Sequence, residues 1–459
     1  MNEALPDVPE VRVVGLPQLT SGFDLVERLD LPMHLKVHGP LEPMGGEQLA
    51  QLSERINLKG RGGAGFPFHK KLRSVAESAI KRGIRPVVVV NGSEDEPACR
   101  KDTVLINRAP HLILDGALLV AEALGARQLV IGVTRESTQR SMEAALSERG
   151  LSNRRGAAIR ASVQRNPVRM VTGAAGSLIR SIDGGPPIPP GRKTSASKSG
   201  VGGAPTLLSN AETFAQLAIG ARIGSERYGN TGLYDEPGTV MLTVSGAVAR
   251  PMVIEAPTGV PLRYILQLAG APPVPQGVLT GGYHGKWIDA ATVNEAVVSR
   301  NSLDAVGGAL GAGAILPISQ DTCPLGESLQ VAKWLAEESA GQAAGGVTAS
   351  SSVVPFDVGT PNGHGKVQID LGPGRVGKNS VQAVVFGPDD GIATVPELRL
   401  TFTLKSQKIG PIDAKLTDRG GYWATDTLQL PLPGKWTMKL TVRTTDIDQV
   451  TVEKSVRVS

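Results

Sequence analysis

The run KGRGGAGFP, Lys59 to Pro67, has the residue types that hold a phosphate: four glycines around one arginine, in a polar loop between two helical segments. Glycine reaches φ > 0 and lets backbone N–H groups converge on an anion, and the Arg61 guanidinium adds a fork of charged donors. A nucleotide or flavin phosphate suits this chemistry. An ordinary glycine-rich turn closed by Pro67 has the same composition, so the loop alone leaves both readings open. The glycine order is not the dinucleotide fingerprint, which needs G-x-G-x-x-G straight after a strand.

Two further polar clusters accompany the loop: NGSEDEP from Asn91, and LLSNAET from Leu207. Backbone amides with Arg61 or Lys71 would offset a phosphate charge, and Asn210 can donate to a phosphate or a hydroxyl. Glu94 and Glu96 suit a ring amide or a sugar as acceptors, or are solvated loop carboxylates. Phe66 either covers a ring or packs beneath Pro67. No Ser/His/Asp or Cys/His set is apparent, so covalent hydrolysis falls behind. Hydride transfer between two bound rings needs no protein nucleophile, only juxtaposition and exclusion of water.

The elements that must position these clusters follow from periodicity. Residues 1–45 are punctuated by proline and read as mostly irregular, with His34 and His38 flanking a turn. GEQLAQLSERI (46–56) predicts a helix leading into the loop, and KKLRSVAESAIKRG one leaving it, stopped by Gly83. PVVVVN predicts a buried strand whose polarity returns at Asn91, where a parallel sheet presents its carboxyl edge. A helix at 111–124, a strand at 128–134 and a helix at 137–150 continue an α/β alternation. The excursion 183–203 carries Arg192, Lys193 and Lys198, after which Ser209 or Asn210 caps a helix with Glu212 in its first turn.

Near residue 230 the texture changes. TVMLTVSGAV and PMVIEAPTG read as paired strands followed by one helix, PLRYILQLAG, a small β-rich module ending near 302. An amphipathic helix spans 321–342 and AAGGVTASSS resembles a linker. Beyond 355, period-2 segments at short spacing predict an antiparallel sandwich. GRVGKN, Gly374 to Asn379, is only superficially like a phosphate loop, lacking G-x-x-x-x-G-K-[ST].

Composition bounds the rest. A chain of 459 residues predicts several domains, and aromatic content of 3% leaves few platforms for stacking bases; the net charge of +5, spread over the chain, argues weakly for anionic ligands and hardly at all for nucleic acid, and none is expected as a partner. No apolar run of about 18 residues appears, and the start lacks a basic and apolar leader, so no transmembrane segment and a cytoplasmic location are expected. Cys99 and Cys323 cannot supply a four-thiolate cluster, and the six histidines show no metal spacing.

GRGGAGFP, VVNGSEDEPACRKD, PTLLSNAET and the ESAGQ helix together resemble, in order over about residues 1–342, the NADH-binding flavoprotein subunit of respiratory complex I and its relatives in NAD-linked hydrogenases and formate dehydrogenases. The resemblance implies FMN at the carboxyl edge of an α/β sheet, an SLBB-type β-grasp module after it, and NADH as substrate. It places Gly60, Arg61, Gly62, Lys71, Asn91, Glu94 and Asn210 at FMN, and Phe66 and Glu96 at NADH. Ser93 stands where the family has aspartate, Ser209 where it has the first of two asparagines, and Gly173 is retained in the flavin site. Ala174 and Ala175 replace carboxylates beside flavin and nicotinamide, and Ala343 replaces the first cluster thiolate. No iron-sulfur cluster is expected.

The C-terminal part, about 355–459, resembles the YtkA-like, CopC-like sandwich of copper-resistance proteins, without a copper site: it has His364, Met438 and no cysteine. The expected architecture is a multidomain α/β protein: an FMN-binding-type α/β domain at 1–230, the β-grasp module at 231–302, a truncated helical remnant at 303–342, a linker at 343–354 and a β-sandwich at 355–459. The expected activity is NADH-dependent electron transfer through FMN to a protein or small acceptor. The alternative is a binding or scaffold protein on a degenerate flavoprotein fold. In either case the location is cytoplasmic or peripheral to a membrane complex.

Overall fold

The computed structural model describes all residues except 1–5, 7, 95, 152–157, 190–194, 339–349, 361–362, 373, 389–392, 420–421, 446–447 and 459. Arg192, Lys193, Ala343 and the first part of the expected linker therefore lie outside the described residues. The chain divides into two compact units, Met1–Glu338 and Ser339–Ser459.

The first unit opens with strand β1 (Glu10–Val13) and helix α1 (Leu31–His38), then α2 (Gly46–Arg55) and α3 (Phe68–Arg82) on either side of the glycine loop. Gly83 ends α3 in the left-handed region, φ 62°, as its C-cap position requires. Strand β2 (Val87–Asn91), α4 (Lys101–Arg108), α5 (Pro110–Leu124), β3 (Gln128–Val133), α6 (Glu136–Glu148), β4 (Arg160–Arg165), α7 (Ala175–Ile182), β5 (Thr206–Asn210) and α8 (Ala211–Gly229) follow. The four valines of β2 are buried because helices cover both faces of its sheet. That sheet is parallel throughout, in the order β4-β3-β2-β5. The order runs outward from β2 through β3 to β4 and then reverses to β5. The β2/β5 pair is therefore the switch point where ligands sit on open α/β sheets.

A two-residue hairpin, β6 (Gly232–Leu233) and β7 (Glu236–Pro237), leads to β8 (Thr239–Val244), β9 (Met252–Pro257), α9 (Leu262–Leu268), β10 (Gly277–Thr280), β11 (Lys286–Asp289), α10 (Ala290–Glu295), α11 (Arg300–Ala305), β12 (Ala314–Ile318) and α12 (Pro324–Glu337). The module is not closed at 302 as its sequence texture predicts. Its six-stranded sheet, β1-β9-β8-β12-β10-β11, takes β12 between β8 and β10 and adds β1 at the edge of β9. β12 is short and buried throughout, so its pattern carries no period, and β1 finds its partner some 240 residues later in the chain. The histidines expected at a turn are instead within α1, started by the Asp30 side chain, which accepts from Met33 N–H. His34 is fully buried against Asp115 of α5, Nε2 to Oδ2 2.7 Å.

The second unit contains β13 (Ser350–Asp357), β14 (His364–Gly372), β15 (Gly377–Phe386), β16 (Glu397–Leu404), β17 (Ile409–Asp413), β18 (Thr417–Asp418), β19 (Trp423–Leu430), β20 (Gly434–Arg443) and β21 (Gln449–Val458). They form two antiparallel sheets, β13-β14-β15-β19-β18 and β17-β16-β20-β21, whose inner faces share one core around Trp436, Phe402 and Val367. The expected linker at 343–354 is corrected at its end: strand β13 already pairs with β14 from Ser350. Asn379 closes the GRVGKN turn from within, its Oδ1 accepting from Gly374 and Arg375 N–H and its Nδ2 donating to Arg375 and Gly377 C=O. Those backbone amides are consumed by the turn.

Candidate functional site

The carboxyl ends of β2 and β5 place Asn91 and Asn210 in register as neighbours. Both side chains are used structurally on one side. Asn91 Oδ1 accepts from Ser93 N–H and its Nδ2 donates to Gly173 C=O at 2.8 Å, tethering the turn before α7. Asn210 caps α8 by accepting from Glu212 N–H, and its Nδ2 donates to Asp102 Oδ2 at 2.6 Å.

Asp102 is held in turn by a buried ammonium. Lys101 Nζ lies 2.9 Å from Asp102 and 2.8 Å from Glu212. Burial alone would lower the Lys101 pKa, but the two carboxylates outweigh it and hold it above its ordinary value. Glu94 caps α4, accepting from Asp102 and Thr103 N–H at 2.9 Å each. A carboxylate at a helix N-terminus satisfies otherwise orphaned amides.

The glycine loop lies against Asn210: a Cβ on Gly62 would sit 3.3 Å from the Asn210 Cβ. Its neck is closed by a bridge between Lys59 and Pro67, with Gly60 N–H donating to Phe66 C=O. Arg61 N–H donates to Thr213 Oγ1, and its Nη2 to Thr239 C=O at 3.3 Å. Arg300, at the start of α11, reaches the loop from the opposite side and donates from Nη1 to Gly63 C=O at 2.9 Å. Burial and then the Arg61 charge push Arg300 below its ordinary value; a guanidinium so shifted still carries its proton at neutral pH.

A cavity of about 390 Å³ opens between these pieces. Arg61, Gly62, Gly63 and Arg300 line one part of it, Asn91, Ser93, Glu94, Glu96 and Asn210 another, and Gly173 and Met170 belong to the same wall. Three residues of that lining each carry a buried polar atom with no hydrogen-bond partner: Arg61 Nε, Ser93 Oγ and Glu96 Oε1. The nearest acid to Arg61 Nε is Glu212 Oε1 at 4.0 Å. The other Glu96 oxygen accepts from Tyr283 N–H at 3.1 Å. Burial pushes the Glu96 carboxyl up to about 7, against the pull of backbone N–H groups at Tyr283 and Ala98. Tyr283 packs edge-on against Trp334 of α12. The helix is also tied down at its end, where Glu338 accepts from Arg169 Nε and Met170 N–H at 3.0 and 2.8 Å.

Four sequence-assigned residues stand off the lining. Gly60 spends its N–H on the loop neck, and Phe66 points outward, 50% exposed. Lys71 donates to Leu208 C=O at 2.8 Å and ties α3 to β5; burial lowers its ammonium pKa. Ser209 is buried within β5. Sequence reasoning in turn missed Asp102, Met170 and Arg300. Asp102 sits in the quoted ACRKD run, whose acid eight residues past Glu94 is the one local signal; Arg300 has none. Among the described residues no group of three or more His, Cys, Asp or Glu side chains could hold a metal.

Comparison with known proteins places likenesses along the chain that carries this site. Residues 53–219 match the Nuo51 FMN-binding domain family and residues 241–280 match the SLBB domain family. The second of the F subunits of NADH-quinone oxidoreductase in Rhizobium meliloti (strain 1021) is 27% identical over 349 residues, covering 73% of this chain and 79% of that protein. The alpha subunit of the NAD-reducing hydrogenase HoxS of Cupriavidus necator is 28% identical over 271 residues, covering 57% of this chain and 44% of its own length. Among solved structures, an NAD+-reducing [NiFe]-hydrogenase in the H2-reduced state superposes with a TM-score of 0.60 at 25% identity, over 73% of this chain. The match spans 56% of that hydrogenase chain. The chain thus joins a region matching the Nuo51 FMN-binding domain to one matching the SLBB domain, and its homologues include F subunits of NADH-quinone oxidoreductases and the alpha subunit of an NAD-reducing hydrogenase.

Proposed function

We propose that the cavity binds FMN and that the chain is an FMN-dependent oxidoreductase drawing on NADH. The observation that carries this reading is that Arg61, Ser93 and Glu96, each with one buried polar atom that lacks a hydrogen-bond partner, line one cavity at the switch point. Leaving a polar atom buried and unpaired costs about 1–3 kcal/mol, which a polar ligand recovers. Arg61 with the backbone of Gly62 and Gly63 would hold the phosphate. Asn91, Ser93, Glu94, Gly173 and Asn210 would border the rest of the cofactor. Gly60, Lys71 and Ser209 contribute by fixing the loop and strand β5.

FMN, when bound, supplies the capacity to accept a hydride and release electrons in one- or two-electron steps. The chain's own part is positional and protonic. Glu96, on the NADH side by resemblance, exchanges its proton near neutral pH. Electrons would leave to a protein partner or a small oxidant, because Cys99 and Cys323 are too few for a four-thiolate cluster. Such a protein would work in the cytoplasm or at the periphery of a membrane complex.

A second reading, a non-catalytic flavin-binding or scaffold protein, is favoured by Ala174 and Ala175, which start α7 next to Gly173 without a carboxylate, and by the outward Phe66. One experiment separates the readings. The purified chain is titrated with FMN under anaerobic conditions and then mixed with NADH in a stopped-flow instrument. Quenching of flavin fluorescence with a micromolar or tighter Kd, followed by bleaching, is expected; quenching without bleaching supports the scaffold, and no quenching sinks the flavin site.

A further inference from the structure

Arg300 lies outside both regions that match known families, yet its guanidinium is built into the glycine loop. Its backbone is pinned first. The Glu236 carboxylate accepts from Arg300 N–H at 2.8 Å and from Asn301 N–H at 2.7 Å, and Ser299 Oγ accepts from Ser302 N–H at 3.0 Å. From that anchor the side chain crosses to the loop, where Nη1 donates to Gly63 C=O. It then lies flush against Gly65, since a Cβ there would stand 2.7 Å from the Arg300 Nε. Gly65 also has φ +61°, so this glycine is required by conformation and by the guanidinium together.

Arg61 and Arg300 face the same cavity, and each feels the other's charge. Of the acids that act on them, Asp304 is exposed and draws on Arg300 from solvent, and the two buried ones are committed elsewhere. Glu212 pairs with Lys101 and stands 4.0 Å from Arg61 Nε. Glu236 spends both oxygens on the amides of residues 300 and 301. Two guanidiniums brought together in a half-buried site repel unless an anion lies between them. A phosphate monoester carries a charge of about −1.5 to −2 at neutral pH and offers three acceptor oxygens, which two guanidinium forks match.

We propose that Arg300 is the second half of a two-arginine clamp with Arg61 that selects the phosphate of the mononucleotide, so that the site discriminates FMN from riboflavin. The proposal rests on the flavin reading of this cavity. The clamp also makes cofactor selection depend on α11, beyond the SLBB-matched residues, rather than on the glycine loop alone.

The test compares wild type, Arg300→Gln and Arg300→Lys by fluorescence quenching with FMN and with riboflavin. Wild type is expected to prefer FMN by about 100-fold, Arg300→Gln to reduce that preference at least about tenfold with riboflavin affinity within about twofold, and Arg300→Lys to fall between. Parallel weakening of both flavins means a merely structural residue and overturns the clamp, as does an unchanged FMN preference. Should Arg300→Gln fail to fold, Arg300→Lys carries the test, because a point charge without the fork must still lower the ratio. Should wild type bind neither flavin, the cofactor reading fails by itself, and inorganic phosphate then decides the clamp. A thermal upshift in phosphate that Arg300→Gln and Arg300→Lys reduce supports it, and no upshift in wild type overturns it.

Discussion

Glu255 and Glu96 are glutamates of the first unit, the one fully buried and the other half-buried, and their surroundings are opposite. Glu255, in β9, accepts from Leu19 N–H at 2.8 Å, Thr20 N–H at 3.0 Å, Gln18 N–H at 3.1 Å and the hydroxyls of Thr20 and Thr239. Every donor comes from the protein, and together they strap the segment after β1 onto the sheet. Glu96 receives Tyr283 N–H on one oxygen, while the other is buried without a hydrogen bond, and the residue lies on the cavity lining. A buried carboxylate saturated by its own chain serves folding, whereas one left half-satisfied beside a cavity keeps capacity for a ligand.

The largest effect that would sharpen this contrast is at Glu255. Glu255→Ala leaves five donors without their acceptor and is expected to cost about 3–5 kcal/mol, with Glu255→Gln losing roughly half of that. Calorimetry of the full chain checks it, with the transition of the α/β unit moving down while that of residues 339–459 stays in place as an internal reference. A shift below about 1 kcal/mol in Glu255→Ala would remove the distinction between the two glutamates.

A second, pH-driven effect belongs to the paired side of the comparison. His34, His38 and His111 stack around Asp115, which binds His34, Arg149 and Arg222, while Glu148 binds His111 and Arg28. Burial, then the neighbouring His34 and Arg222, lowers His38 to about 3. Burial outweighs the Glu148 hydrogen bond and brings His111 to about 4. Both folded values lie below the unfolded one near 6.5, so their stability is fully present above that pH and is lost as the unfolded chain alone takes up protons. Stability should therefore fall by on the order of 2 kcal/mol between about pH 6.5 and 4, and His38→Gln should flatten that slope.

What the sequence discloses of this arrangement is its local part. Gly83 ends α3 and Asn210 caps α8 because both signals act within a turn of their own residue. The loop, the NGSEDEP cluster and Asn210 reach one cavity because strand ends in a parallel sheet share an edge. Arg300 meets Gly63 across 237 residues, and nothing at either position announces the other. The same distance hides β1 and β12 from the module they complete. Lys71 and Ser209 stand off the lining for a different reason: the Lys71 ammonium is spent on Leu208 C=O, and Ser209 is buried within β5. His34 and His38 hide as polar residues in a helix whose partner, Asp115, comes from α5.

The smallest effect runs in the opposite direction from the first. The Glu96 carboxyl has a folded value of about 7 against an ordinary 4.5, raised by burial. Below the ordinary value it is protonated in both states and the folded chain bears no penalty; as pH rises through about 7 the folded chain must carry a half-satisfied buried charge, and stability is lost. Glu96→Gln removes that charge and should stabilise the protein by about 1–2 kcal/mol at about pH 8, with the gain shrinking toward zero near about pH 4.5. The urea midpoint of the α/β unit in wild type and variant, followed across this range, reads the difference. Its sign carries the argument: Glu255→Gln loses stability at every pH above the carboxylate range, because it breaks contacts the fold completed, and Glu96→Gln gains it only where the lone charge exists. A Glu96→Gln variant that lost stability in mild alkali would place Glu96 with Glu255 among the groups that serve the fold.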